Sequence, residues 1–245
     1  MSVARKRLII ILVSVLLAVA LMFGALAIYA ADYYRADTVA IDSFRTERDP
    51  EPIYHKGYIS VEPEGAKRGI ILYPGGKVDP VAYVGLVQAL GSYGIFAAVV
   101  DMPFNLAFFG SNAASGIMRE HPEIQKWYVG GHSLGGTVAA GYAKRNDDKV
   151  DGLILLGSYA NTDLTETDLK VFIAYGSEDE VIGMETYEKK MKNLPEGYTK
   201  LVIEGGNHAG FGMYGIQDGD GEATIIAAEQ IRLVANLIDS FTKKK

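Results

Sequence analysis

The pentapeptide Gly131-His132-Ser133-Leu134-Gly135 constrains the fold of this chain more than any other feature. It follows a short apolar run, residues 127–130, and precedes a segment with helical character, residues 137–144. A serine between two glycines at such a junction predicts a sharp turn from a strand into a helix. We expect the glycines to be required because a Cβ at either position would collide with the neighbouring strand and helix. The serine hydroxyl should then project beyond the edge of the sheet.

Short apolar runs alternate with helical periodicity from residue 53 onward. This pattern is typical of a mostly parallel sheet flanked by helices. The strand that ends near residue 156 and the strand that begins near 170 are separated by about a dozen residues, too few for a lid domain. The predicted strands are 58–61, 69–73, 95–100, 127–130, 150–156, 170–175 and 199–203, and the predicted helices are 80–92, 113–120, 185–193 and 222–241.

Residues 8–31 contain no charged side chain. As a helix they would span about 36 Å, enough to cross a bilayer core of about 30 Å. Arg5-Lys6-Arg7 precedes this segment and Asp32 follows it, so the positive-inside rule places the N-terminus in the cytoplasm and the rest of the chain outside. The alternative is a cleaved signal peptide, for which residues 25–27 and 29–31 offer small side chains. We favour the uncleaved anchor because the apolar region of a signal peptide is usually about 7–15 residues long.

Length and composition limit the classes of function. A chain of 245 residues is suited to one substantial core. The net charge of −6 argues against nucleic acid as a partner. The sequence has no cysteine, which excludes thiol catalysis, disulfides and thiolate metal sites. The histidines and carboxylates show no convincing metal spacing, so we expect neither a metal nor a cofactor, and no protein partner is evident.

A serine nucleophile needs a base within hydrogen-bond reach and an acid that orients the base. His208 is the only histidine downstream of Ser133, and it directly follows the last predicted strand. Asp179 follows the penultimate strand after a Gly-x-x-Asp turn, so it is our preferred acid. Asp163 and Asp168, on the loop after the preceding strand, are the alternatives.

An acyl-transfer site also needs donors for the developing oxyanion. The backbone N–H of Leu134 is the first expected donor, and the second should come from the loop 74–77. We assign Gly76 to this role, with Lys77 as the alternative, because glycine lets the backbone turn its N–H inward. The segment 102–109 follows a strand on the same side and either lines the substrate pocket or packs under its loop. Our candidate pocket residues are Lys77, Phe104, Asn105 and Leu106.

Four segments, 73–80, 102–107, 130–136 and 206–212, resemble the α/β-hydrolase superfamily, and within it a group of small lidless bacterial hydrolases related to dienelactone-hydrolase-like proteins. The resemblance extends from about residue 55 to 242. It implies an α/β-hydrolase fold without a lid domain and a triad of Ser133, Asp179 and His208. Pro74 departs from the pattern, since many relatives carry histidine before the oxyanion glycine.

The expected organisation is a basic cytoplasmic N-terminus (1–7), a transmembrane signal anchor (8–31), a linker (32–52) and an α/β-hydrolase catalytic domain (53–245). We expect a single-pass membrane protein whose extracytoplasmic domain cleaves small or exposed carboxylic esters through an acyl-enzyme on Ser133. The alternatives are a lipase, a thioesterase or an acyltransferase with the same triad, a secreted enzyme after signal cleavage, or a catalytically silent surface binding module.

Overall fold

The computed structural model describes residues 2–46 and 49–243 in two units, one ending at Tyr33 and the other beginning at Tyr34. Small parts of three predicted segments lie outside the described residues: position 1 of the basic N-terminus, positions 47–48 of the linker and positions 244–245 of the catalytic domain.

The first unit is the helix α1, Val3–Ala31. Its 29 residues have an apolar window with a mean hydropathy of 3.0, and none of that window is buried. The side chain of Ser2 caps the helix by accepting a hydrogen bond from the Arg5 N–H. By length and composition α1 is therefore consistent with a helix that crosses a membrane.

The second unit contains an eight-stranded sheet in the order β1-β2-β4-β3-β5-β6-β7-β8. The pairs β1–β2 and β2–β4 are antiparallel, and every other neighbouring pair is parallel. The carboxyl ends of the parallel strands thus meet at one edge, which is where ligands bind in open α/β sheets. The strands are β1 (Ile53–His55), β2 (Tyr58–Val61), β3 (Arg68–Tyr73), β4 (Phe96–Val100), β5 (Lys126–His132), β6 (Gly152–Leu156), β7 (Lys170–Gly176) and β8 (Thr199–Ile203).

Helices cover both faces of this sheet. Because side chains alternate along a strand, Ile70 and Leu72 of β3 belong to one apolar core and Ile71 and Tyr73 to the other. The helices α2, α3 and α7 contribute to the first core, and α4, α5 and α6 to the second. Their bounds are α2 (Thr38–Phe44), α3 (Val84–Gly91), α4 (Ala113–Glu120), α5 (Leu134–Arg145), α6 (Met184–Lys190) and α7 (Ala227–Lys243).

The structure corrects the interpretation of residues 32–52 as a linker. Tyr34 pairs with Val78 beside the sheet, and α2 buries Ile41 and Phe44 in the first core. Asp37 caps α2 by accepting from the Ala40 N–H. Burial of these apolar side chains outweighs the polar composition of the segment, which belongs to the second unit from Tyr34 onward.

The predicted strands and helices agree closely with the structure, which adds α2 and β1 to them and shifts one helix start. The expected helix 222–241 begins only at Ala227, because the residues before it bind a neighbouring loop: the Thr224 N–H donates to the Gly205 carbonyl at 2.8 Å. The connection between β6 and β7, residues 157–169, contains neither helix nor strand, as expected for a fold without a lid domain.

Candidate active site

Ser133 lies on the sharp turn between β5 and α5, with φ 51° and ψ −123°. A non-glycine residue rarely adopts such a positive φ, so surrounding structure must hold it there. A Cβ on Gly131 would come within 2.6 Å of the Tyr73 carbonyl oxygen, and one on Gly135 within 2.1 Å of the same atom. The Ser158 hydroxyl also donates to the Ser133 carbonyl at 2.6 Å, which ties the turn to the end of β6. These contacts hold the sharp strand-to-helix turn that the sequence predicted, which we call the elbow.

Asp179 and His208 form a buried pair at the ends of β7 and β8. The side-chain distance from His208 Nδ1 to Asp179 Oδ2 is 2.9 Å, and the two residues are 1% and 6% exposed. The other carboxylate oxygen of Asp179 accepts the N–H groups of Val181 and Ile182, so the carboxylate is fixed. Since Nδ1–H donates to this carboxylate, neutral His208 presents a lone pair at Nε2.

Ser133 and His208 line the same cavity, whose volume is about 320 Å³. His208 Nε2 is buried and has no hydrogen-bond partner among the described residues. In particular, His208 Nε2 has no hydrogen bond to the Ser133 hydroxyl among the described residues. Hydrogen bonds of this kind are often long in unliganded active sites and tighten only when a substrate binds. The cavity is thus lined by a serine with a strained backbone and by an imidazole whose Nδ1 is held by Asp179 and whose Nε2 can accept a hydrogen bond.

The expected oxyanion donors lie next to each other beside the elbow. A Cβ on Gly76 would be 3.0 Å from Leu134 Cδ2, so the two loops are in contact. Among the described residues, no hydrogen bond uses the N–H of Gly76 or of Leu134. Lys77, the alternative donor, gives its N–H to the Asn105 carbonyl at 2.8 Å. Gly76 is therefore the better candidate of the two.

The structure corrects the candidate pocket residues. None of Lys77, Phe104, Asn105 and Leu106 lines the cavity at Ser133, whereas Phe108 of the same segment does. Phe104 and Asn105 both have positive φ, 60° and 53°. The remaining lining residues are Leu134, Thr137, Gly157, Ser158, Tyr159, Asn161, Val181 and Ile182.

The alternative acids lie elsewhere. Asp163 is exposed and accepts hydrogen bonds from the N–H and hydroxyl of Thr165 in its own loop. Asp168 is also exposed, and no hydrogen bond or ion pair joins it to His208 within the described residues. Asp179 alone is paired with the imidazole.

Sequence reasoning missed the residues that hold the His208 loop. The Asp220 carboxylate accepts the N–H groups of His208 and Ala209 at 3.2 and 2.8 Å. Gln230 of α7 is fully buried and bonds both the N–H and the carbonyl of Asn207. In the sequence, Asp220 lies in the polar run 218–222, which resembles only a turn before a helix. The position of Gln230 in the sequence does not indicate that its side chain binds the backbone of Asn207.

Gly157 provides a test of the Asp179–His208 geometry. Its φ is +50°, and a Cβ there would lie 3.0 Å from His208 Nδ1 and 3.3 Å from Asp179 Oδ2. We expect Gly157→Ala to displace the imidazole and lower kcat for an ester by about 10- to 100-fold. Gly94→Ala is the matched control, because Gly94 also has a positive φ (+73°) but has open space around its Cβ position. Equal activity of the two variants would contradict the proposed arrangement.

His132 is buried beside the site in a neutral form. The Gly75 N–H donates to the Tyr83 hydroxyl, and this hydroxyl lies 2.8 Å from His132 Nδ1. Burial lowers the pKa of His132 well below its usual range, and the nearby imidazole of His208, at 4.4 Å between ring centroids, lowers this pKa further. Burial raises the pKa of Tyr83, so this hydroxyl keeps a proton that it can donate to Nδ1 of neutral His132.

This pKa shift makes stability depend on pH. The unfolded chain protonates His132 near its ordinary pKa of about 6.5, while the folded chain does not, so the free energy of unfolding should fall as the pH drops below about 6.5. The limiting slope for one group is about 1.4 kcal/mol per pH unit. His132→Gln, which keeps an acceptor for Tyr83, should flatten this slope. Urea unfolding followed by the fluorescence of Trp127, the only tryptophan, measures it; identical slopes would contradict the assignment.

Comparisons with known proteins agree with this architecture. Residues 69–232 match the model of a family described as "Alpha/beta hydrolase family". A search of curated proteins finds no match. Among solved structures, the chain is similar to a predicted CIB-like hydrolase from Thermoplasma acidophilum, at a TM-score of 0.54 and 16% identity over 78% of this chain and 97% of that one.

Two further solved structures are similar. Est1E from Butyrivibrio proteoclasticus has a TM-score of 0.56 and 15% identity, covering 79% of this chain and 97% of that one. MGS-MChE2, an alpha/beta hydrolase enzyme from the metagenome of sediments from the lagoon of Mar Chica, Morocco, has a TM-score of 0.59 and 15% identity, covering 79% and 98%. At these identities the similarity concerns the fold.

Proposed function

Because the chain belongs to the alpha/beta hydrolase family, we propose that it is a serine hydrolase that cleaves carboxylic esters through an acyl-enzyme on Ser133. One observation carries this proposal: the buried imidazole of His208, oriented by Asp179, lines one cavity with a serine held at positive φ. This combination is costly for a purely structural role, since strain and buried charge both disfavour folding.

The proposed reaction proceeds in two halves. The Ser133 hydroxyl oxygen attacks the ester carbonyl carbon while His208 Nε2 takes the hydroxyl proton, and the N–H groups of Leu134 and Gly76 receive the negative charge on the carbonyl oxygen. Collapse of this intermediate breaks the bond to the alcohol oxygen, which leaves with the proton from Nε2. Water then attacks the acyl carbonyl carbon while Nε2 takes one of its protons. The bond from that carbon to the Ser133 oxygen breaks, Nε2 returns the proton to this oxygen, and the acid leaves.

Asp179 acts on the imidazole and not on the substrate. Its carboxylate keeps the proton of neutral His208 on Nδ1 and stabilises the cation that forms during each half-reaction. The Val181 and Ile182 N–H groups donate to the other carboxylate oxygen and so hold the carboxylate in the orientation that faces the imidazole.

The proposal also includes a membrane anchor. We propose that α1 is an uncleaved anchor with Arg5-Lys6-Arg7 in the cytoplasm, so that the hydrolase unit is extracytoplasmic. Alkaline phosphatase fused to the C-terminus should be active in a bacterial host, since that enzyme folds only after export. The intact mass of the purified protein should include residues 8–31. An inactive fusion would reverse the orientation, and a mass that lacks those residues would indicate signal cleavage.

A panel of p-nitrophenyl esters with acyl chains of graded length tests the activity. We expect turnover with a preference for one range of length, and a burst of p-nitrophenol equal to the enzyme concentration if deacylation is slower than acylation. A thioesterase would instead prefer acyl thioesters in the same assay. A folded protein that hydrolyses none of these substrates would favour the surface binding module.

A further inference from the structure

Three phenylalanines lie exposed on the segment that ends beside the cavity. Phe104, Phe108 and Phe109 are 43%, 63% and 51% exposed, and the rings of Phe104 and Phe109 pack edge to face at 5.4 Å. We call these three side chains the aromatic patch. Clustered exposed aromatics are unusual on a soluble surface and mark a place where another apolar phase or molecule binds.

The surroundings of the aromatic patch are also unusual in charge. The chain has no charged residue from Met102 to Met118, although 22% of the whole sequence is charged. An exposed segment that only contacts water normally carries charge. A segment that inserts into the interface of a bilayer normally lacks charged side chains, because burying a charge there is costly, whereas phenylalanine is favoured.

Hydrogen bonds connect the aromatic patch to the point where the chain enters the hydrolase unit. The Tyr34 N–H donates to the Lys77 carbonyl at 2.8 Å, and the Lys77 N–H donates to the Asn105 carbonyl at 2.8 Å. The first residue of the unit, the candidate oxyanion loop and the segment of the aromatic patch therefore form one continuous chain of contacts at the carboxyl edge of the sheet.

Chain length limits how far this edge can be from the bilayer. The apolar helix ends at Ala31, and three Cα–Cα steps to Tyr34 span at most about 11 Å. If α1 is the membrane anchor, Tyr34 enters the unit close to the membrane surface, and Lys77 and Asn105 are bound next to it. The covalent tether thus argues for lipid as the occupant of the aromatic patch.

We propose that Phe104, Phe108 and Phe109 dock on the lipid bilayer and open the cavity at Ser133 to esters dissolved in the membrane. Phe108 lines the cavity as well as belonging to the aromatic patch, so docking would bring the entrance into contact with the acyl region. The substrate class is then an amphiphilic ester presented by the bilayer. This inference rests on the proposed hydrolase function and on the uncleaved anchor.

Tryptophan fluorescence tests docking without any need for activity. The full-length protein is placed in phosphatidylcholine vesicles, with and without lipids brominated on the acyl chain. Trp127, the only tryptophan, is buried and gives the baseline in the wild type. We expect emission from Phe109→Trp to be quenched by the brominated lipid. Leu233→Trp is the control, because Leu233 is similarly exposed (42%) but lies on α7, and we expect no quenching there.

Ester hydrolysis tests the substrate class. In the same vesicles, Phe109→Glu should lower hydrolysis of bilayer-dissolved p-nitrophenyl palmitate by about tenfold, since a carboxylate opposes insertion of the aromatic patch. Hydrolysis of water-soluble p-nitrophenyl butyrate should stay within about twofold, because Phe109 does not line the cavity. Leu233→Glu should change neither rate.

The two readouts separate the two proposals. Butyrate hydrolysis without quenching at position 109, or equal effects of Phe109→Glu on both esters, would overturn the docking inference and leave the hydrolase function intact. Quenching at position 109 with no hydrolysis of either ester would overturn the hydrolase function and the substrate class, while the docking surface would stand.

Discussion

Ser133→Ala should lower kcat/KM for a p-nitrophenyl ester by about 10⁴-fold or more, because the proposed acyl-enzyme forms on the Ser133 hydroxyl. The Ser133 turn is held by backbone contacts: its N–H donates to the Leu156 carbonyl, and its carbonyl accepts from Ser158. Alanine keeps both contacts, so we expect the fold to be unchanged. The loss should lie in kcat, since the hydroxyl is not needed to bind the ester.

Ser240→Ala is the matched control for this substitution. Ser240 is exposed on α7, and its hydroxyl donates only to the Asn236 carbonyl. We expect this variant to have wild-type kinetics, and both variants to show the same Trp127 emission and the same urea midpoint. Residual activity of Ser133→Ala within about tenfold of wild type would remove the serine from the mechanism.

Asp179→Asn should lower kcat by about 10³- to 10⁴-fold while the fold is retained. The Oδ1 position accepts the N–H groups of Val181 and Ile182, so the amide oxygen of asparagine will take that place. The amide NH₂ then faces His208 Nδ1, which must become the acceptor. The ring proton moves to Nε2, and the imidazole can no longer take the proton of Ser133.

Asp163→Asn controls for loss of a carboxylate on a neighbouring loop. Asp163 is exposed and bonds only within its own turn, so we expect full activity. The comparison is made from kcat and kcat/KM on one ester at a fixed pH. If Asp179→Asn and Asp163→Asn behaved alike, the acid would have to be sought at another position.

The arrangement of the sheet could be predicted because the parallel strands β3 to β7 are short, mainly apolar runs that are buried on both faces. Chain order then placed the serine, the carboxylate and the imidazole after the ends of β5, β7 and β8, and the structure brings His208 Nδ1 within 2.9 Å of Asp179 Oδ2. The glycines around Ser133 were informative because a side chain does not fit at the turn: a Cβ on Gly135 would be 2.1 Å from the Tyr73 carbonyl oxygen. Local sequence was sufficient in these cases because the constraint is itself local.

The remaining features depend on contacts between distant parts of the chain. Residues 32–52 resemble a linker by composition, and only the packing of Ile41 and Phe44 in the core with α3 and α7 shows that α2 belongs to the hydrolase unit. The pocket was assigned to Phe104 and not to Phe108, because residue type alone does not show which phenylalanine of this segment lines the cavity. Gln230 contacts Asn207 across 23 positions without any pattern in between.

Labelling with a fluorophosphonate, followed by peptide mapping, tests the central claim most directly. The reagent phosphonylates a serine only when a neighbouring base and oxyanion donors activate it. We predict one adduct per chain, on the peptide that contains Ser133, and no adduct on Ser133→Ala. A folded wild-type protein that stays unlabelled, or that carries the adduct on another serine, would contradict the account.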